Sequence, residues 1–204
     1  MKKLLSTLLP AFALAFTLNG PAAAASTPDA VVAQMTEQVL AEAGKAGNVS
    51  KEEAPQKLKA LIESAVMPHV DFRTMTAKTI GPKWREATEE QRQQLMAGFE
   101  TLLVRTYAGA FSQAKGASFR VKSALPVDDK TTEVRSEVAA PGAREPIAIH
   151  YRMELRQDAW KVTDVSVLGM WLVPLFRGQC GPIVNQSGIA GLIRSMSEKT
   201  VAAR

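Results

Sequence analysis

Cys180 is the only cysteine among 204 residues, so no intrachain disulfide can form and no thiolate cage for a metal is available. Histidine is nearly as scarce. His69 follows Pro68 at a helix end and His150 sits on the polar side of an alternating strand, placements that suit structural or surface roles. No Gly-x-Ser-x-Gly turn, His-x-x-x-His pair or glycine-rich phosphate loop occurs. Serine hydrolases, zinc enzymes and nucleotide-binding proteins would each need one of these. The adjacent carboxylates Glu52-Glu53 and Glu89-Glu90 fall in first helical turns, where the helix dipole already favours negative charge. Aromatic residues make up 6% of the chain, and no basic run interleaved with them suggests a nucleic-acid surface.

One long apolar run is present, and it is at the start. Lys2 and Lys3 precede apolar residues from Leu4 to Leu18, and Ala22-Ala23-Ala24-Ala25 lies before Ser26. This is the three-part pattern of a bacterial secretory signal, with the cut expected after Ala25. The apolar stretch is broken by Pro10 and ends at Gly20-Pro21. No later run approaches the roughly 18–20 apolar residues of a membrane helix, and no cysteine at the cut offers a site for lipid attachment. Residues 1–25 are therefore expected to be removed, and residues 26–204 to form a single exported domain. Without Lys2 and Lys3, 23 basic side chains face 20 acidic ones, a formal charge of +3. A charge this small fits a mixed surface, with at most a weak attraction to anionic headgroups.

Helical signals dominate the first half. Thr27-Pro28 opens a helix to about Ala43, Gly44 to Asn48 reads as a loop, and Ser50 with Glu53 forms a capping box for a second helix ending at Pro68. Asp71 caps a third, stopped by Gly81-Pro82. Thr88 with Gln91 opens a fourth, the longest, to about Ala114, with a broad apolar stripe that includes Leu95, Phe99, Leu102 and Leu103. From Gly116 the apolar period falls to two. Phe119, Val121, Ser123 and Leu125 alternate with polar residues, and Val134 with Val138 marks a second strand. Ile147 to Leu155 is the cleanest amphipathic strand, and a fourth runs from Trp160 to about Leu168. An apolar surge, Met170 to Phe176, precedes a terminal helix carrying Ile189, Leu192 and Ile193. The expected fold is α+β: an antiparallel four-stranded sheet covered on one face by the long helix and several shorter helices.

The ordered set Asp71-Phe72, Gly81, Trp84, Ala87-Thr88, Gln91-Arg92, Phe99, Leu102-Leu103 and Arg105-Thr106-Tyr107 resembles the toluene-tolerance family, the MlaC proteins. The same pattern continues through Tyr151, Trp160-Lys161-Val162, Asp164-Val165, Gly169, Arg177, Gly188-Ile189 and Gly191-Leu192-Ile193, so it spans about residues 30 to 200. The chain departs from it at Leu168-Gly169-Met170-Trp171-Leu172, where Glu-Gly-Val-Ser-Leu is expected, and at Cys180, where an aromatic is common.

The resemblance implies a periplasmic phospholipid carrier without catalytic activity, metal or cofactor, its bound lipid held by the acyl chains in an apolar cavity between helices and sheet. It implies partners as well: an outer-membrane lipoprotein complex and an inner-membrane ABC transporter complex with its substrate-binding ring, the carrier itself being a monomer that maintains outer-membrane lipid asymmetry. Candidates for the lining are Phe72, Met75, Phe99, Leu103, Tyr107 and Phe111 from helices, and Phe119, Val121, Ile149, Tyr151, Trp160, Val165, Met170 and Trp171 from the sheet side. Arg73, Lys83, Arg85 and Arg177 are candidates to meet a phosphate at the mouth. Composition alone leaves the apolar set equally suited to a solid core. Two other readings stay open: a carrier of another apolar molecule such as a hopanoid or quinone, and an enzyme whose cone-shaped pocket uses Asp164 as a proton-transfer base, near Tyr107 or Tyr151.

Overall fold

The computed structural model describes residues 26–45, 50, 52–112 and 115–198. The expected signal segment, and residues 46–48 of the expected loop, lie outside the described residues. Helix α1 (Pro28–Lys45) is followed by α2 (Ala54–Leu61), α3 (Phe72–Ile80) and α4 (Glu89–Ser112). Strands β1 (Ser118–Asp128), β2 (Thr131–Ala139), β3 (Ile147–Arg156), β4 (Ala159–Val167) and β5 (Met170–Trp171) form one antiparallel sheet in chain order, and α5 (Leu172–Ser197) closes the chain. The sheet thus has a fifth, two-residue strand beyond the four expected.

The helix starts follow from capping chemistry. Asp71 accepts from the Thr74 N–H at 3.0 Å and opens α3, which satisfies one of the free donors at its end. At α4 the box is reciprocal: Thr88 Oγ1 accepts from the Gln91 N–H at 3.2 Å, and Gln91 Oε1 from the Thr88 N–H at 3.0 Å. Beyond Leu61 the second helix widens into a π-helical turn, Ile62–Val66, then tightens through Met67–His69 at Pro68.

Two expectations needed correction. Of the surge after the sheet, Met170–Trp171 is strand β5 and residues 172–176 open α5, so the surge and the expected terminal helix belong to one 26-residue element with Pro182 inside it and a bend at Gly188 (φ 64°, ψ −174°). Packing outweighs the Gly178, Gly181 and Pro182 breaking signals, because Phe176, Cys180 and Val184 recur one turn apart as a buried row. The bend leaves α4 the longest uninterrupted helix. In β1 a bulge at Lys122 shifts the register between Val121 and Ser123, so Leu125 pairs with Glu133 and is exposed. Alternation continued from Phe119 would have put it inside.

The apolar interior has two main clusters and a small third, which joins Leu58 of α2 to Val104 and Ala108 of α4. One cluster is helical, with Phe72, Met75, Leu95, Phe99, Leu172, Phe176 and Leu192 drawn from α3, α4 and α5. The Phe72 and Phe99 rings stack at 5.6 Å, and Phe176 meets Phe99 edge-on at 5.4 Å. The second joins Val31, Val32 and Met35 of α1 to Val134, Tyr151, Met153 and Val162 of the sheet. Val70 and Val165 touch both, so the two meet along β4. A β-carbon at Gly98 would lie 2.8 Å from the Met196 sulfur, so α4 and α5 cross closely only because that residue is glycine. Phe99 has no exposed surface and holds the helical cluster together. Phe99→Ala is expected to lower the unfolding free energy by about 3–5 kcal/mol in urea denaturation.

Candidate functional site

The sheet face that carries Leu155, Met153, Tyr151, Ile149 and Ile147 is most buried at Met153 and Tyr151, half-buried at Leu155 and Trp160 on one side, and most open at Ile147 on the other. Along β3 exposure on this face rises from 0% at Met153 and 7% at Tyr151, through a half-buried Ile149, to 37% at Ile147. The same ramp runs along β4, from a fully buried Val162 to half-buried Val165 and Val167. A bulge at Thr163, opposite Arg152 and Met153, is what keeps Val162 and Val165 on one face although they are three residues apart. Helix α1 covers the most buried part through Val31, Val32 and Met35. At the open end Phe119 and Val121 of β1, paired with Val138 and Ser136, are half-buried beside Ile149. Opposite the seam at β4, the helical layer offers Leu103 and Tyr107 of α4 and Ile183 of α5, also half-buried. Inward-facing apolar side chains on both layers thus keep part of their surface uncovered.

The expected lining residues separate into three groups. Leu103, Tyr107, Phe119, Val121, Ile149, Trp160 and Val165 pack against the clusters and stay half-buried. Phe72, Met75, Phe99 and Tyr151 are spent on packing. The Tyr151 hydroxyl lies 3.5 Å from Thr36 Oγ1, and burial pushes its pKa up. Met170 stands exposed at the rim, whereas Trp171 pairs with Ser166 and lays its ring under the Arg152 guanidinium at 4.4 Å, on the opposite face. The Phe111 side chain lies outside what is described. Sequence reading passed over Val70, Val167 and Ile183. Strand parity identifies Val167, and the Phe176-Cys180-Val184 row identifies the flank that carries Ile183.

Asp164 is no solvent-facing base. It is buried, and its Oδ1 accepts from the Val173 N–H at 3.0 Å and the Val165 N–H at 2.9 Å. Val173 is in the first turn of α5, so Asp164 caps that helix from a neighbouring strand and lies at the positive end of its dipole. Burial raises its pKa, and the two backbone donors and Arg152 act against that. Cys180 is likewise inert, its thiol pushed up to about 11 by burial. Among the described residues no group of three or more His, Cys, Asp or Glu side chains is placed to hold a metal.

The four candidate headgroup cations gather near α3 rather than on the sheet. Arg73 forms a two-pronged pair with Glu89 at 2.8 and 2.9 Å, which holds the Glu89 carboxyl down to about 2, and Lys83 pairs with Glu86 at 2.8 Å. Arg85 is exposed, and the Arg177 guanidinium lies over Gly81, where a β-carbon would come within 3.3 Å of it. No helix among the described residues is long and apolar enough to cross a membrane.

Comparison with known proteins bears on this geometry. A family model described as MlaC protein matches residues 33–198. The chain is 20% identical over 195 residues to the intermembrane phospholipid transport system binding protein MlaC of Haemophilus influenzae, covering 94% of this chain and 91% of that one. It is 28% identical over 167 residues to the toluene tolerance protein ttg2D of Pseudomonas putida, covering 81% and 76% of the two chains. A phospholipid-binding protein from Ralstonia solanacearum, solved in complex with a phospholipid, superposes with a TM-score of 0.76 and 31% identity, over 85% of this chain and 97% of that one.

If Asp164 serves as a cap, Asp164→Ala should cost roughly 1–3 kcal/mol of stability because it strands two buried donors, and Asp164→Asn, which keeps the acceptor, should cost less. A carboxyl whose folded pKa is raised binds its proton more readily folded than unfolded. Wild type should therefore gain stability relative to Asp164→Asn as pH falls from neutral through that raised value toward the ordinary 3.8. Denaturation midpoints of both proteins across this range check the sign.

Proposed function

The chain belongs to the MlaC family, and from that premise we propose that it is a carrier that holds a glycerophospholipid by its acyl chains in a recess between sheet and helices, without catalysing a reaction. The observation that carries this reading is the ramp of exposure along one sheet face, matched by half-buried apolar side chains on α4 and α5. The phospholipid bound to the Ralstonia solanacearum protein supports it. Two acyl chains hold about 30 methylenes, and at about 0.8 kcal/mol each their exposure to water costs on the order of 20 kcal/mol. A bare lipid therefore does not cross an aqueous gap at a useful rate. A recess walled by Phe119, Val121, Ile149 and Val165 on one side and Leu103 and Tyr107 on the other offsets most of that cost.

The proposal extends to the setting. With residues 1–25 removed as a secretory signal, the carrier works in the periplasm as one domain and a monomer. It moves lipid between an outer-membrane lipoprotein complex and an inner-membrane ABC transporter complex with its substrate-binding ring, an exchange that maintains outer-membrane lipid asymmetry. Recognition rests on the tails. Two of the four candidate headgroup cations, Arg73 and Lys83, are already matched by Glu89 and Glu86.

Organic extraction of the protein purified from a Gram-negative host, followed by mass spectrometry, is expected to release stoichiometric phospholipid. A folded protein that yields none contradicts the carrier reading, and a hopanoid or quinone in the extract would replace the ligand. Filling the recess separates an open site from a solid core. In a solid core, Val121→Trp or Ile149→Trp would destabilise the fold by roughly 1–3 kcal/mol. In an open recess, the same substitutions should leave the denaturation midpoint nearly unchanged and lower lipid occupancy by roughly tenfold, as a clash of that size transferred to the ligand requires.

A further inference from the structure

The open end of the sheet is also where the molecule spends apolar side chains on solvent. Leu168 is 65% exposed and Met170 57%, and Ile147 beside them completes a patch, since the Leu168 N–H donates to the Ala148 carbonyl at 3.0 Å. Leu168 has a φ of 52° and precedes Gly169 at 83°, a turn whose two central residues are both left-handed. Such a turn favours Asn-Gly, and a leucine there is disfavoured by backbone as well as by solvation. A residue unfavourable on both counts points to something it contacts.

Charge is also divided between the two ends of the sheet. Lys115 and Arg144 flank the open end, both exposed and without an ion pair among the described residues, with Glu145 the one acidic neighbour in the β2–β3 loop. Gly116 and Pro141 place these segments side by side, a β-carbon on the glycine lying 3.1 Å from the proline ring. The opposite end carries Asp128, Asp129 and Asp158 against Lys130 in its two turns. Leu125 and Val127 are exposed on that acidic side.

We infer that the rim formed by Leu168, Met170 and Ile147, with Lys115 and Arg144 beside it, is a docking surface for an anionic phospholipid bilayer. The inference rests on the carrier reading and adds a direct contact with the bilayer in which the two membrane complexes sit. Apolar tips enter the boundary between headgroups and acyl chains, the two cations meet lipid phosphates, and the recess opens directly onto the interface. An acyl chain handed over at either complex then reaches Ile149 and Val121 without crossing water. The acidic end is repelled from the same surface, which orients the molecule.

The test is flotation with vesicles of phosphatidylglycerol and phosphatidylcholine, alongside phosphatidylcholine vesicles alone, using the full mature chain. Wild type is expected to float with the anionic vesicles and less with the neutral ones. The variant Leu168→Asn/Met170→Thr should lose binding by at least roughly tenfold, while Leu125→Ser/Val127→Ser, at the acidic end, should bind as wild type does. Leu168→Asn alone should raise the melting temperature, because asparagine suits the left-handed turn, yet still weaken flotation. Lys115→Glu/Arg144→Glu should abolish the preference for anionic vesicles. Wild type that floats with neither vesicle, or a rim variant that floats as well as wild type, overturns the inference. So does a rim that reduces capture of a partner protein while leaving flotation unchanged. Extracted lipid, measured on the same preparations, keeps the two readings apart: normal lipid content with unchanged flotation sinks the bilayer dock alone, and absence of lipid from wild type sinks the carrier.

Discussion

An apolar sheet face has to be covered, and in this chain one helix covers only half of it. Helix α1 seals Val134, Tyr151, Met153 and Val162, while Phe119, Val121, Ile149 and Val165, packed against the same cluster, stay half-buried. The proposed carrier function depends on that incomplete cover. Had α4 lain flat on the sheet, the interior would be one cluster and Leu103 and Tyr107 would be core. Instead α4 packs on α2, α3 and α5, while α1, α3 and α5 are the elements nearest the sheet. The long helix braces the helical layer and leaves its inner side chains short of the strands.

What sets the distance between layers is the attachment of α5. Asp164 reaches from β4 to the Val173 N–H in the first turn of that helix, and the Phe72, Phe99 and Phe176 rings lock its first half to α3 and α4. The close crossing at Gly98 fixes its second half after the bend at Gly188. A buried carboxylate is costly unless its oxygen finds donors. Here one of its two donors, the Val173 N–H, belongs to a helix end that would otherwise be unsatisfied, so one contact meets two needs. A residue that sequence reading considered as a proton-transfer base is a structural clasp.

Much of the architecture was legible because its signals are local. Asp71, and Thr88 with Gln91, marked two helix starts through side chains that bond within three residues, and the alternation from Ile147 to Leu155 marked β3 and its buried face. The parts that stayed hidden depend on partners distant in sequence. The bulges at Lys122 and Thr163 reverse strand parity, and only the pairing register reveals them, so Leu125 was placed inside and the shared face of Val162 and Val165 was not foreseen. Trp171 was assigned to the lining from its size and position, but parity turns it onto Arg152. The continuity of α5 through Pro182 comes from burial that overrides local propensity. The list of candidate lining residues rested on hydrophobicity, which is the same for a side chain that packs and for one that keeps free surface, so it was blind to that division.

The central claim is that a guest occupies the open half of one sheet face. Methyl and aromatic NMR spectra of the protein loaded with a phospholipid spin-labelled along its acyl chain test this most directly. The account predicts strong broadening at Val121, Ile149, Val165 and Leu103, with Met153, Val162 and Val32 unaffected beneath α1. Broadening spread evenly over both halves, or confined to the α1 end, would contradict it.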